Sequence, residues 1–150
     1  MEFYAAFLTV APGGFDAQIV SGGYDGVNRA IKELEEKGNE ATAKDNETCQ
    51  TLYLVREALA RGVKFLNVDL QKSDAKAFLP ENGKIRMPLN SLPGLGDTAA
   101  EKIVEARSEF DIDSVEELRR RTGISKAVIE ILRNNGVLDG MRETNQITFF

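Results

Sequence analysis

Apolar residues recur at helical spacing in the first third of the chain. Val27, Ile31 and Leu34 fall at i, i+4 and i+7, which predicts a helix over residues 24–37 with one buried stripe. Glu33 and Lys37 are spaced to pair on it, and Gly38 stands where the helix stops. The polar run 38–46, GNEATAKDN, predicts a loop. Leu52, Val55 and Leu59 mark a second helix over 47–61, ended by Gly62. The period then shortens. Leu66, Val68 and Leu70 alternate with Asn67 and Asp69, which predicts a strand over 63–70. Asn82-Gly83 is a two-residue hairpin signal, after which Lys84 and Arg86 face one way and Ile85 and Met87 the other. The opening MEFYAAFLTV is apolar and uncapped, which suggests a chain cut from a longer protein.

From Pro88 onward the pattern is of short helices joined by tight turns. One covers 97–107. A second covers 114–121, with Ser114 as N-cap and Glu117 at the capping-box position. A third covers 126–134, with Ser125 as N-cap and Gly136 as stop. The fold class expected is α+β, mostly α. A helical first part with a small β element precedes a unit of paired hairpins.

Composition narrows the chemistry. The 150 residues contain no histidine and a single cysteine, so histidine bases and histidine metal ligands are ruled out, the composition disfavours a zinc site, and Cys49 reads as a small buried apolar residue. Net charge is −5, unlike that of a basic protein that coats nucleic acid. Any grip on DNA must be local. No apolar run reaches membrane-spanning length.

The segment Leu92-Pro93-Gly94-Leu95-Gly96 carries the strongest local signal. Gly94 permits a tight reversal through positive φ. Leu95 is placed to plug the core, and Gly96, without a Cβ, lets another backbone approach. The following helix then aims unpaired N–H groups outward, a ready site for phosphate. Thr98 and Lys102 lie one turn apart and can reach the same phosphate, while Ala100 allows close helix packing and Ile103 and Val104 face the core. Asp97 would repel a phosphate and is expected to turn aside. The spacing hydrophobic-Pro-Gly-hydrophobic-Gly, three residues, Ala, two residues, two hydrophobics resembles the helix-hairpin-helix motif, which binds DNA backbone without reading sequence. Gly123-Ile124-Ser125 is a degenerate second copy, followed by Lys126 and ringed by Arg119, Arg120, Arg121 and Arg133. Paired copies imply a four-helix unit over about 89–138. The basic run is either a solvated helix face or part of the DNA contact.

The order of segments adds to this. FYAAFLTVAPGGFD, GGYDGVNRAIKELEEKG, LVREALARGVKFLNVDLQKSDAKAF and NGKIRMPLNSLPGLGDTAAEKIVEAR resemble, in that order, the carboxyl-terminal part of bacterial C-family replicative polymerases, PolC-type DNA polymerase III alpha subunits most of all. The resemblance implies that residues 1–87 end the fingers region, 88–140 form the tandem hairpin module holding duplex DNA, and 141–150 form a flexible tail. It also implies a cytoplasmic setting, the rest of the polymerase chain as a partner, and catalytic carboxylates with their magnesium upstream. No cofactor and no chemistry are expected within this segment. Asp111 and Asp113 are expected to serve capping and the helix dipole. Gln146, Ile147, Phe149 and Phe150 resemble the terminal peptide by which bacterial polymerases hold the sliding clamp, with Ile147 and Phe149 in place of two leucines. Two other readings use the same residues. One is a non-catalytic module of a repair or DNA-uptake protein, and the other is an interaction domain whose hairpins are bare turns.

Overall fold

The computed structural model describes residues 2–10 and 15–144. Seven α-helices and a three-stranded sheet occur among them, so the chain is mostly helical with a small β element. The helices are α1 (Glu2–Val10), α2 (Ala17–Ser21), α3 (Gly23–Glu36), α4 (Ala43–Ala60), α5 (Asp97–Glu109), α6 (Val115–Thr122) and α7 (Lys126–Asn134). Strands β1 (Phe65–Leu66), β2 (Leu79–Glu81) and β3 (Lys84–Arg86) lie in the order β1-β3-β2, with β1 parallel and β2 antiparallel to β3.

The α3 stripe forms as its spacing predicts. Val27 and Ile31 are fully buried against α4, whose Leu52 and Val55 are equally buried. Lys37 does not pair with Glu33. Its Nζ lies 3.2 Å from Asp45 Oδ2, because Asp45 is fixed beside it by a capping box. Asp45 N donates to Thr42 Oγ1 and Thr42 N donates to Asp45 Oδ2, so α4 starts four residues before position 47. Cys49 is buried.

The alternation holds for burial only over 67–70, since Phe65 and Leu66 are equally half-buried, and it fails for hydrogen bonding. Val68 and Leu70 are buried, yet only Phe65–Leu66 pairs as strand. Asp69 stops the ladder. Its Oδ1 accepts from Gln71 N and Lys72 N, and its carbonyl accepts from Ser73 N, which bends the chain into a turn. The hairpin at Asn82-Gly83 forms with positive φ at both residues, 51° and 77°, as its short loop demands. Ile85 and Met87 are buried beneath it. On the other face Glu81 pairs with Arg86 through two bonds, and Arg86 also reaches Asn67 O at 2.8 Å.

Pro88 and Pro93 bracket too few residues for an α-helical ladder. The stretch between them forms the 3₁₀ turn Leu89–Ser91, so the hairpin unit has three α-helices and this turn rather than four helices. One apolar cluster runs through both halves, from Tyr4 and Leu8 to Leu132 and Leu138. Polar tethers cross it as well. Arg107 NH1 donates to Leu70 O at 2.9 Å, and Asn67 Nδ2 donates to Asn135 O at 3.3 Å.

Ser73 is fully buried and holds the sheet to the turn before the hairpins. Its Oγ donates to Met87 O at 2.7 Å and accepts from Asp69 N at 2.9 Å. Ser73→Ala leaves both backbone groups without this partner and is expected to cost about 1–3 kcal/mol in chemical denaturation. An unchanged midpoint would contradict that role.

Candidate nucleic-acid interface

The first hairpin is set by three residues with different roles. Gly94 sits at φ 87°, in the left-handed region, where a side chain is strained. A Cβ there would also stand 2.8 Å from Ile131 Cδ1, so the turn rests directly on α7. Leu95 is 2% exposed and seated in the core, and its amide closes the turn on Leu92 O at 3.1 Å. Gly96 is exposed, and a Cβ built on it meets nothing within 4 Å. It is the N-cap of α5 and supplies no side-chain cap. Among the described residues, the amides of Asp97, Thr98 and Ala99 find no acceptor, since the first bond of the helix runs from Ala100 N to Gly96 O.

Asp97 turns aside, held by Asn90 Nδ2 at 3.0 Å from its Oδ1. Nothing in the sequence marks Asn90 for that task, because the pair meets only when the 3₁₀ turn folds back. Thr98 and Lys102 are both exposed on α5. Ala100 and Ile103 are fully buried, and Val104 packs more loosely against the same core.

The second hairpin differs in a way that follows from Ser125. Gly123 takes φ 70° as the left-handed end of α6, and Ile124 is buried like Leu95. Ser125 Oγ then accepts from Val128 N at 3.2 Å. One helix-start amide that Gly96 leaves open in the first copy is thereby satisfied internally in the second. Lys102 and Thr122 line one shallow cavity of about 180 Å³, together with Phe110 and Arg121, so the first hairpin's lysine lies beside the entry to the second.

Most of the arginine run is already paired. Glu117, 5% exposed, accepts from Arg120 NH2 and, at 2.6 Å, from Arg121 Nε. Arg121 also lies 3.9 Å over the Phe110 ring. Its guanidinium holds the Glu117 carboxyl below the usual range, helped by the charge of Arg120. Arg133 pairs with Glu143 and, at 3.4 Å, with Glu130. Among the described residues of the module, Arg119, Lys102 and Lys126 have no acidic partner. Sequence reasoning treated Glu117 as a cap and missed its role as the anchor of two arginines, although its i+3 and i+4 spacing carries that signal.

Asp111 and Asp113 are exposed, and the capping they were expected to share is done by Ser114, whose Oγ accepts from Glu117 N at 3.0 Å. The chain after α7 is anchored as far as residue 144. Val115 N donates to Arg142 O at 2.8 Å and Glu116 N donates to Glu143 O at 2.9 Å. Gln146, Ile147, Phe149 and Phe150 lie outside the described residues. Among the described residues no cluster of acids or cysteine could hold a metal ion, and no helix is long and apolar enough to cross a membrane.

Comparison with known proteins agrees with this geometry. The family described as "Helix-hairpin-helix motif" matches residues 62–147, more than half of the chain. The match begins in the sheet region, upstream of Pro88. The chain is 45% identical to a DNA polymerase III PolC-type of Caldanaerobacter subterraneus over 99% of its own length. It is 43% identical to that of Thermotoga petrophila over its full length, and 41% identical to that of Clostridium perfringens over 99% of it. It spans only 10–11% of those relatives.

Because its pKa is held down, Glu117 contributes stability above the ordinary glutamate value of 4.5 that is lost as pH falls through the lower folded value. Glu117→Gln is therefore expected to lower the melting temperature at pH 7. That deficit should shrink in melts taken progressively below pH 4.5. A deficit independent of pH would contradict the ion-pair role.

Proposed function

The chain belongs to the helix-hairpin-helix motif family, and from that premise we propose that it grips duplex DNA by its backbone, as the duplex-holding part of a PolC-type replicative polymerase. The observation that carries this reading is the start of α5. The amides at 97–99 have no acceptor among the described residues and sit beside an exposed glycine with no side chain and free space around it. A helix start of this kind offers partial positive charge and donors to a phosphate oxygen. It offers nothing that distinguishes one base from another, which suits an enzyme that must hold any sequence. Lys102 and Thr98 flank the site, and Gly123, Ser125 and Lys126 supply a second, weaker contact.

Catalysis belongs elsewhere in such a polymerase, with its magnesium. The relatives are about ten times longer than this chain. The segment's part is retention, and the tail extends it. Gln146, Ile147, Phe149 and Phe150 fit a peptide that docks on the bacterial sliding clamp, the amide in a polar corner and the two rings as apolar anchors. Anchoring of 142–144 on α6 supports this, because the peptide then leaves from the DNA-holding module itself. Tethering both contacts on one body raises the local concentration of each for the other.

Gly96→Leu is expected to weaken low-salt binding of an arbitrary duplex by about tenfold or more, the loss of one or two charge-assisted bonds. Its stability should stay within about 0.5 kcal/mol of wild type, since the new side chain enters open space. Gly94→Ala should do the reverse in part, costing about 1–2 kcal/mol of stability through its φ. Absence of duplex binding by the wild type would leave an interaction domain with bare turns.

Deletion of residues 146–150 should abolish capture by an immobilised bacterial clamp while leaving duplex affinity unchanged. Undiminished capture would remove the clamp assignment and favour a repair or uptake module.

A further inference from the structure

Helices α6 and α7 enclose a groove of about 610 Å³ whose lining includes Arg119, Arg120, Lys126 and Arg133. These cations come from both sides of the second hairpin. Glu116 and Glu130 also line it, and Glu143 completes it from the chain that follows α7. Glu143 is therefore an acid brought into a cationic groove by a separate segment.

That segment is held by its backbone. Arg142 O accepts from Val115 N at 2.8 Å, and Glu143 O accepts from Glu116 N at 2.9 Å. Thr144 Oγ1 donates to Glu116 Oε2 at 2.6 Å. None of these bonds uses the Glu143 carboxylate, which is left for Arg133. Arg133 NH1 pairs with Oε1, and NH2 lies 3.3 Å from Oε2. The guanidinium thus meets both carboxylate oxygens, the fork geometry by which arginine also binds phosphate. The pair is solvent-exposed, with the two side chains 39% and 63% exposed. A pair of this exposure is weak, on the order of 0–1 kcal/mol.

We propose that Glu143 is a built-in competitor for nucleic-acid phosphate, occupying Arg133 until a DNA strand entering the α6–α7 groove takes its place. The proposal rests on the duplex-binding reading above. Only the side chain must swing away, because the bonds to the Val115 and Glu116 amides involve main-chain oxygens. The exchange swaps a weak exposed carboxylate pair for a phosphate pair and opens Arg133 beside Arg119 and Lys126. Glu130, 3.4 Å from Arg133 Nε, meets the guanidinium at one nitrogen only and remains in place throughout.

The test is duplex binding of the whole chain by fluorescence anisotropy, with a labelled duplex of arbitrary sequence across a salt series. Glu143→Gln is compared with wild type and with Glu36→Gln, an exposed acid on α3 that makes the same change in net charge. Glu143→Gln should bind about three- to tenfold tighter than Glu36→Gln at low salt. Its log–log salt slope should be steeper by up to about 0.9, the release of one further counterion. In an Arg133→Ala background the Glu143→Gln gain should vanish. Equal affinity of the two glutamine variants, with wild-type binding intact, would overturn the competitor and leave the duplex grip standing. A gain that survives Arg133→Ala would overturn it too. Failure of wild type and both variants to bind would remove the duplex reading and the competitor together.

Discussion

The seat of Leu95 in the core is the constraint on which the rest of the site depends. With that side chain buried and its amide turned back to Leu92, the flanking glycines have no freedom of role. Gly94 must take the left-handed turn against Ile131, and Gly96 must emerge into solvent at the head of α5. The outward donors are a consequence of an inward plug. Ile124 repeats the plug in the second hairpin, and the two turns are held in register because the first rests on the helix that follows the second.

Charge explains how an acidic chain can hold an anion. The net charge is −5, so long-range attraction of a polyanion is not available. Within the module the arginines are largely spoken for, two on Glu117 and one on Glu143 and Glu130. What remains among the described residues is a small set of cations without an acidic partner, Lys102, Arg119 and Lys126, placed near helix-start dipoles. Binding built this way covers few phosphates and responds shallowly to salt. Such a grip is modest alone and becomes useful when a second attachment keeps the chain close.

Features that depend on local chemistry were legible in the sequence. Stripe spacing placed α3, the Asn82-Gly83 signal placed the sheet hairpin, and Ser114 and Ser125 placed the starts of α6 and α7 within a residue. Burial parity was readable along 67–70, but strand pairing was not, because an Asp69 turn competes with a ladder and alternation cannot report the winner. The helix expected before Pro93 is a 3₁₀ turn, which the two prolines could have revealed. The start of α4 was hidden by a polar run whose Thr42 and Asp45 are a capping box. At the site, the hairpin glycines and Leu95 stood out by motif. Asn90 on Asp97 and Glu143 on Arg133 did not, since each joins segments that only the tertiary fold brings together.

The central claim is that the amides heading α5 are donors kept for a phosphate. Backbone amide NMR of the whole chain, titrated with duplex DNA, tests it residue by residue. The account predicts that the Asp97, Thr98 and Ala99 amide signals shift together on binding, and do so equally with a second duplex of unrelated sequence. Shifts confined to other parts of the surface, or shifts that appear with one sequence and not the other, would contradict it.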